Sequence, residues 1–154
     1  MFLSPKNSTE ATEEAPNAID STGENSCPWL SYSSAINKVE VQHQQYKKIK
    51  VKSMNSWFYN LTNCVSIQGI NNDNFDTTNL TSIKSTFNGC EKLENLILND
   101  FNTSNVDNMS QAFSGCIKLK ELDITSFSNS KVSNLEQMFY NCSDLTYIKA
   151  SSEN

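Results

Sequence analysis

The chain has 154 residues, which is the size of a single domain and is long enough to bury a hydrophobic core. Its formal net charge is −5 and its 12 basic residues are all lysines, whereas nucleic-acid-binding domains normally carry arginine and a positive balance. No apolar run approaches the roughly 20 residues of a membrane-spanning helix. We therefore predict no nucleic-acid partner and no membrane insertion.

Residues 1–26 carry one lysine against five acids and almost no large apolar side chain. Such a segment buries too little surface to offset its ordering entropy, so we predict a disordered acidic leader. It also lacks the charged and apolar parts of a secretory signal. In residues 27–53, apolar and polar residues alternate around Val39 and Val51, which predicts an N-terminal cap with short strands.

The rest of the chain repeats with a period of 26 residues, without insertion between residues 75 and 150. Seven apolar columns share this period, which is typical of stacked repeats. They are Phe75, Phe101 and Phe127; Leu80, Val106 and Val132; Ile83, Met109 and Leu135; Phe87, Phe113 and Phe139; Cys90, Cys116 and Cys142; Leu93, Leu119 and Leu145; and Leu96, Leu122 and Ile148. The same period places Leu61, Cys64, Ile67 and Ile70 one unit earlier.

Residues 101–116 read F-N-T-S-N-V-D-N-M-S-Q-A-F-S-G-C, with leucines following at 119 and 122. This pattern resembles the repeat of the BspA-type leucine-rich repeat surface proteins, F-D-T-S-N-V-T-N-M-S-x-M-F-x-G-C-x-x-L-x-x-L-x-L. The resemblance implies a cell-surface or extracellular protein whose partner is a host, neighbouring-cell or matrix protein. Because no secretory signal is present in the sequence, a cytoplasmic location is the alternative.

Apolar residues three apart in residues 106–113 and 132–139 predict one or two turns of helix or 3₁₀ helix, and the leucines at 93–98 predict a short parallel strand. With the resemblance, we predict an α/β repeat fold. It would be a short right-handed leucine-rich-repeat solenoid with a small parallel sheet on one face and short helices or 3₁₀ turns on the other. About four coils would fill residues 54–150. An uncapped tail at 151–154 would favour self-association.

The cysteines at 64, 90, 116 and 142 come from different units, so they would stack in a file about 4.8 Å apart. Four ligands in a line cannot surround a tetrahedral zinc ion, and parallel side chains argue against disulfides. We predict buried free thiols and no metal or cofactor. The single histidine, His43, has no recognisable nucleophile beside it, so we predict no enzymatic activity.

The outward positions of the predicted strands form the candidate protein-binding face. Repeat proteins commonly bind along this face, and Ile97 and Tyr147 would be its apolar anchors. The predicted face comprises Asn71, Asp73, Asn95, Ile97, Asn99, Glu121, Asp123, Thr125, Tyr147 and Lys149. We predict a non-enzymatic protein-binding module that acts in adhesion at a cell surface. The alternative is an intracellular interaction scaffold.

Overall fold

The computed structural model describes residues 29–41, 48–98, 100–128 and 130–152. The leader at 1–26, together with Cys27 and His43, lies outside these ranges. The described residues contain one 3₁₀ helix and seven strands of two to four residues. In chain order they are η1 (Leu30–Tyr32), β1 (Lys38–Glu40), β2 (Ile49–Lys50), β3 (Ser66–Gln68), β4 (Phe75–Asp76), β5 (Asn95–Leu96), β6 (Glu121–Ile124) and β7 (Tyr147–Ala150).

All of the strand pairs are parallel, and they form three separate small sheets. In the first sheet β3 lies between β1 and β5; β2 pairs with β4 in the second, and β6 with β7 in the third. β1 and β2 fall where the alternation predicted short strands. We call β3, β5, β6 and β7 the strand row, although β5 and β6 do not pair with each other in the described ranges.

A second set of contacts joins residues 53–60, 82–89, 108–115 and 134–141, which we call the turn row. Parallel bridges link its first residues, from Ser53 to Ser82, then Asn108, then Asn134. From each bridge onward, every second backbone N–H donates to a carbonyl of the following stretch, over 2.7–3.0 Å. The donors are Met54, Ser56, Phe58 and Asn60, then Ile83, Ser85, Phe87 and Gly89, then Met109, Gln111, Phe113 and Gly115.

Left-handed residues shape the turn row. Ser56, Ser85, Gln111 and Gln137 occupy one column and have φ between 54° and 58°. Each is the third residue of a four-residue turn; for example, the Trp57 N–H closes such a turn by donating to the Met54 carbonyl. A positive φ at that place is the type II pattern. A second left-handed column follows four residues later and consists of Asn60, Gly89, Gly115 and Asn141.

The first residue of each turn-row stretch is polar for a local reason. Its side-chain oxygen accepts the N–H two residues ahead, at 2.9–3.3 Å, in all four stretches. Short hydroxyl and amide side chains suit this bond, because they reach their own backbone at a bend. The column consists of Ser53, Ser82, Asn108 and Asn134.

The predicted fold class, an α/β leucine-rich-repeat solenoid, is wrong. Its short helices or 3₁₀ turns are missing from the repeated units, since the one helix of the described residues, η1, precedes them. A left-handed residue at every fourth position interrupts any right-handed helix. The alternate N–H groups also bond across stretches instead of along one chain. Because the strands form separate sheets, no continuous solenoid wall closes around the core.

The apolar columns nevertheless form the core. Four phenylalanine rings, Phe58, Phe87, Phe113 and Phe139, stack in sequence, with centroids 5.5–5.6 Å apart and planes within 8–11° of parallel. Burial decreases at the last unit. Leu122 is 1% exposed, whereas Ile148 in the same column is 39% exposed.

The first unit is offset from the second by 29 residues instead of 26. Ile67 pairs with Leu96, and Phe58, not Leu61, stacks on Phe87. Phe75 keeps its 26-residue spacing to Phe101. Three extra residues therefore lie between β3 and β4, in the loop 69–74.

Candidate functional site

In β5 and at the start of β6 an exposed residue precedes a buried one, whereas all four residues of β7 are exposed. Asn95 and Ile97 are exposed on either side of the buried Leu96. Glu121 lies opposite Tyr147 and Asp123 opposite Lys149 in the parallel register. Ile97 and Tyr147 are each 55% exposed, so two large apolar side chains stand on a mostly polar face.

The remaining predicted face residues lie elsewhere or outside the described ranges. Asn99 is not described. Thr125 lies in the turn after β6, where its hydroxyl donates to Asp123 at 2.6 Å. Asn71 and Asp73 lie in the loop 69–74, not on β3, because of the 29-residue offset. Gln68 is the exposed residue at the end of β3, at the place that the 26-residue period predicted for Asn71.

Hydrogen bonds hold the loop 69–74 in place. The Asn71 Oδ1 accepts the N–H groups of Asp73 and Asn74, both at 3.1 Å. The Asn74 Nδ2 donates to the carbonyls of Gly69 at 2.8 Å and Val41 at 3.2 Å. Gly69 has a φ of 83°, and a Cβ there would clash with the Val41 carbonyl oxygen. The loop is thus fastened to the chain just after β1.

Two adjoining depressions flank this loop, and we call them together the acidic groove. Their volumes are about 520 and 710 Å³, and both are lined by Gln68, Gly69, Asn71 and Asp73. The first also includes Ile97 and Asp100, and the second Glu40 and Asn74. The groove therefore combines three carboxylates with one exposed isoleucine. It brings Asn71, Asp73 and Ile97 of the predicted face together.

The β6–β7 pair carries an ion pair on the same face. The Lys149 Nζ lies 2.9 Å from the Asp123 Oδ2. The Thr125 hydroxyl first, and the Lys149 ammonium second, hold the pKa of Asp123 well below its usual range. The same contact raises the pKa of Lys149. Because both groups are exposed, solvent screens the pair and its contribution to stability is small.

Cys64, Cys90 and Cys116 are buried free thiols, and Cys142 is a partly buried one. The predicted file of four cysteines is wrong at its first member. The Sγ atoms of Cys90, Cys116 and Cys142 donate to the carbonyls of Phe58, Phe87 and Phe113 in the preceding unit, at 3.0–3.2 Å. Cys64 is buried but lies outside this column, where Leu61 takes the equivalent place. Desolvation raises the pKa of Cys64, Cys116 and Cys142, which lowers their thiolate fraction and reactivity.

A family model described as Mycoplasma protein of unknown function, DUF285, matches residues 52–151. The chain belongs to this family. The DUF285 region begins one residue before the turn row and ends one residue after β7, so it contains all the stacked units. No curated protein and no solved structure matches the chain.

Two observations on the DUF285 region bear on its chemistry. Among its described residues and those of the cap, no three His, Cys, Asp or Glu side chains are close enough to hold a metal ion. No helix in the same ranges has the length and apolar character to cross a bilayer.

Sequence reasoning missed Gln68, Asp100 and Glu40 as parts of the groove. The sequence feature that could have revealed the groove is the spacing from Ile67 to Phe75, which is three residues longer than the spacing from Leu96 to Phe101.

Proposed function

We propose that the chain is a non-enzymatic protein-binding module whose partner docks on the strand row and the acidic groove. The observation that carries this proposal is the position of Ile97, which is 55% exposed at the rim of the groove. Apolar side chains that are exposed in a concave surface and surrounded by polar residues are common anchors of protein interfaces. The bound segment would therefore offer an apolar side chain to Ile97.

The negative charge of the groove indicates which charged residues the partner carries. Asp73 lines both depressions, Asp100 lines the one with Ile97, and Glu40 lines the other. The Glu40 carboxylate is itself 3.7 Å from the Lys38 ammonium. Carboxylates grouped around an apolar anchor favour lysine or arginine in the partner. The loop that forms the groove is also the place where the 26-residue period is broken, so this loop occurs only in the first of the described units.

Selection of random linear peptides displayed on phage against the immobilised chain tests this proposal. We expect enriched peptides to combine a basic residue with a neighbouring apolar one. Ile97→Ser should abolish their binding, whereas the control Tyr140→Ser should leave it unchanged, since Tyr140 is 64% exposed on the turn row. Failure to enrich peptides over a blank surface, or equal binding to the Ile97→Ser variant, would overturn the proposal.

Location is a separate part of the proposal. The sequence resemblance to BspA-type surface proteins supports adhesion at a cell surface, with an intracellular scaffold as the alternative. Protease treatment of intact source cells, followed by detection with an antibody against residues 52–151, distinguishes the two. Removal of the signal supports the surface location. Signal that survives treatment and appears in the soluble fraction contradicts it.

A further inference from the structure

The turn row is polar in the direction of stacking. At each of its three interfaces, four alternate N–H groups of one stretch meet four carbonyls of the next. Every N–H in these ladders is donated toward the later stretch, and every accepting carbonyl faces the earlier one. In these ladders, one end of the row therefore presents N–H donors and the other end presents carbonyl acceptors. Only at the start of each stretch does a bond run the other way, as from the Thr81 N–H to the Lys52 carbonyl.

At the later end, the corresponding four donors have no partner among the described residues. They are the N–H groups of Leu135, Gln137, Phe139 and Asn141, which we call the donor edge. The Leu135 side chain on this edge is 54% exposed, whereas Met109, one unit earlier, is 3% exposed. Unpaired backbone groups in a row beside exposed apolar side chains are a template for pairing with another chain.

At the earlier end, the equivalent four carbonyls likewise have no hydrogen-bond partner in the ranges that the structure covers. They belong to Ser53, Asn55, Trp57 and Tyr59, which we call the acceptor edge. At this end of the molecule, β1 pairs with the outer edge of β3, and β2 pairs with the outer edge of β4. No described strand extends the turn row in the same way.

We propose that the donor edge of one copy docks on the acceptor edge of a second copy, head to tail. In the register of the internal interfaces, the Leu135 N–H meets the Ser53 carbonyl. The Gln137, Phe139 and Asn141 N–H groups then meet the carbonyls of Asn55, Trp57 and Tyr59. Both edges have the same alternate spacing, because each is half of an interface that the chain already forms three times.

A two-fold pairing of donor edges is excluded by the same polarity. It would bring N–H groups against N–H groups and leave all eight without acceptors, which is costly where water is displaced. A head-to-tail contact uses the turn row alone, since β1 and β2 occupy the other sides of the earlier end. The contact is therefore weaker than an internal interface, and it leaves a free edge on each terminal copy. Open-ended chains of copies follow.

Sedimentation velocity of the full chain over a hundredfold range of concentration tests the proposal. We expect the average mass to rise past that of a dimer. Leu135→Lys on the donor edge and Tyr59→Lys on the acceptor edge should each weaken association at least tenfold, about 1.4 kcal/mol. A mixture of the two variants should form dimers that do not grow, since only one pair of intact edges is present. Val65→Lys is the matched control and should associate like wild type, since Val65 is 42% exposed just before β3 and lies outside the turn row.

Amide hydrogen exchange gives an independent measurement on the unmodified chain. The four donor-edge amides should become protected as concentration rises, while the amides of residues 109–115 stay protected throughout. A mass that remains monomeric at every concentration would overturn the proposal. So would a dimer that Leu135→Lys abolishes and Tyr59→Lys leaves intact, because that pattern shows two donor ends in contact. Thermal melts of each variant confirm that it folds.

Discussion

At the scale of single residues, the ring stack concentrates stability in a few positions. Phe113 is fully buried between Phe87 and Phe139, with both ring planes within 8° of its own. Truncating the Phe113 side chain leaves a cavity in the middle of the stack and removes the ring contacts to both neighbours. Phe139 has one ring neighbour and is only partly buried, so the same truncation there removes less.

We predict that Phe113→Ala lowers the free energy of unfolding by about 3–5 kcal/mol. Phe139→Ala should cost less than half as much, because its site already opens to solvent. Urea unfolding followed by circular dichroism measures both. Equal losses for the two variants, or a melting temperature of Phe113→Ala within ~2 °C of wild type, would contradict the stacked core.

The buried residues were predictable from the sequence to a large extent. The 26-residue period correctly identified Phe101, Leu119 and Cys116 as core positions, because burial requires only that apolar residues recur in register. It did not reveal the backbone conformation. Gln111 is left-handed although it is not glycine, and nothing in its side chain indicates a positive φ. Apolar residues three positions apart therefore predicted a helix in segments where the backbone forms turns.

At the scale of elements, the turns depend on the second left-handed column. Gly115 has a φ of 73°, and a Cβ there would lie 3.3 Å from backbone atoms of Gly89 in the preceding unit. Asn141 fills the same place in the last unit with a φ of 57°. Asparagine tolerates this conformation better than other residues with a side chain, and glycine tolerates it best.

We predict that Gly115→Ala destabilises the fold by about 1–2 kcal/mol, the usual cost of a left-handed alanine. The matched change Asn141→Gly should be neutral or slightly stabilising. Urea titration of both variants makes the comparison. Wild-type stability of Gly115→Ala would show that the column does not need its positive φ.

The β6–β7 pair gives a prediction on pH. Because the pKa of Asp123 is lower in the folded chain, its contacts stabilise the fold fully above about pH 4, the pKa of an unfolded aspartate. This stabilisation is lost as the pH falls through the folded value. Asp123→Asn should therefore make the acid limb of a plot of melting temperature against pH slightly less steep, the effect being small because the carboxylate is exposed. Lys149→Met should have a smaller effect still, because the Thr125 hydroxyl bond remains. An unchanged acid limb in Asp123→Asn would contradict the assignment.

The candidate site was less predictable than the core, and loop 69–74 shows why. Both Ile67 and Ile70 are buried, so the apolar pattern fits either of two registers in the first unit. The period selected Ile70 as the partner of Leu96, whereas the backbone pairs Ile67 with it. That shift moved Asn71 and Asp73 from a strand to the groove. Three inserted residues changed the position of the site without changing the number of buried columns.

At the scale of the whole molecule, protection from solvent should follow the stacking direction. The internal donors Met109, Gln111, Phe113 and Gly115 are paired with the last stretch, and their counterparts on the donor edge are unpaired in the described chain. We predict that, at concentrations too low for association, the donor-edge amides exchange with solvent much faster than the internal ones. Mass spectrometry of peptides covering 108–115 and 134–141 measures the difference. Equal exchange in the two peptides would contradict the hydrogen-bond pattern.

The identical pairing at successive interfaces makes the number of units adjustable. A stretch such as 108–115 receives its hydrogen bonds from the unit before and gives the same set to the unit after. An in-frame genetic duplication of one 26-residue segment would therefore insert a unit that satisfies both neighbours and alters neither end. The groove, which depends on three residues outside the period, would be carried along unchanged. Such a chain can gain or lose length by recombination while keeping its recognition surface.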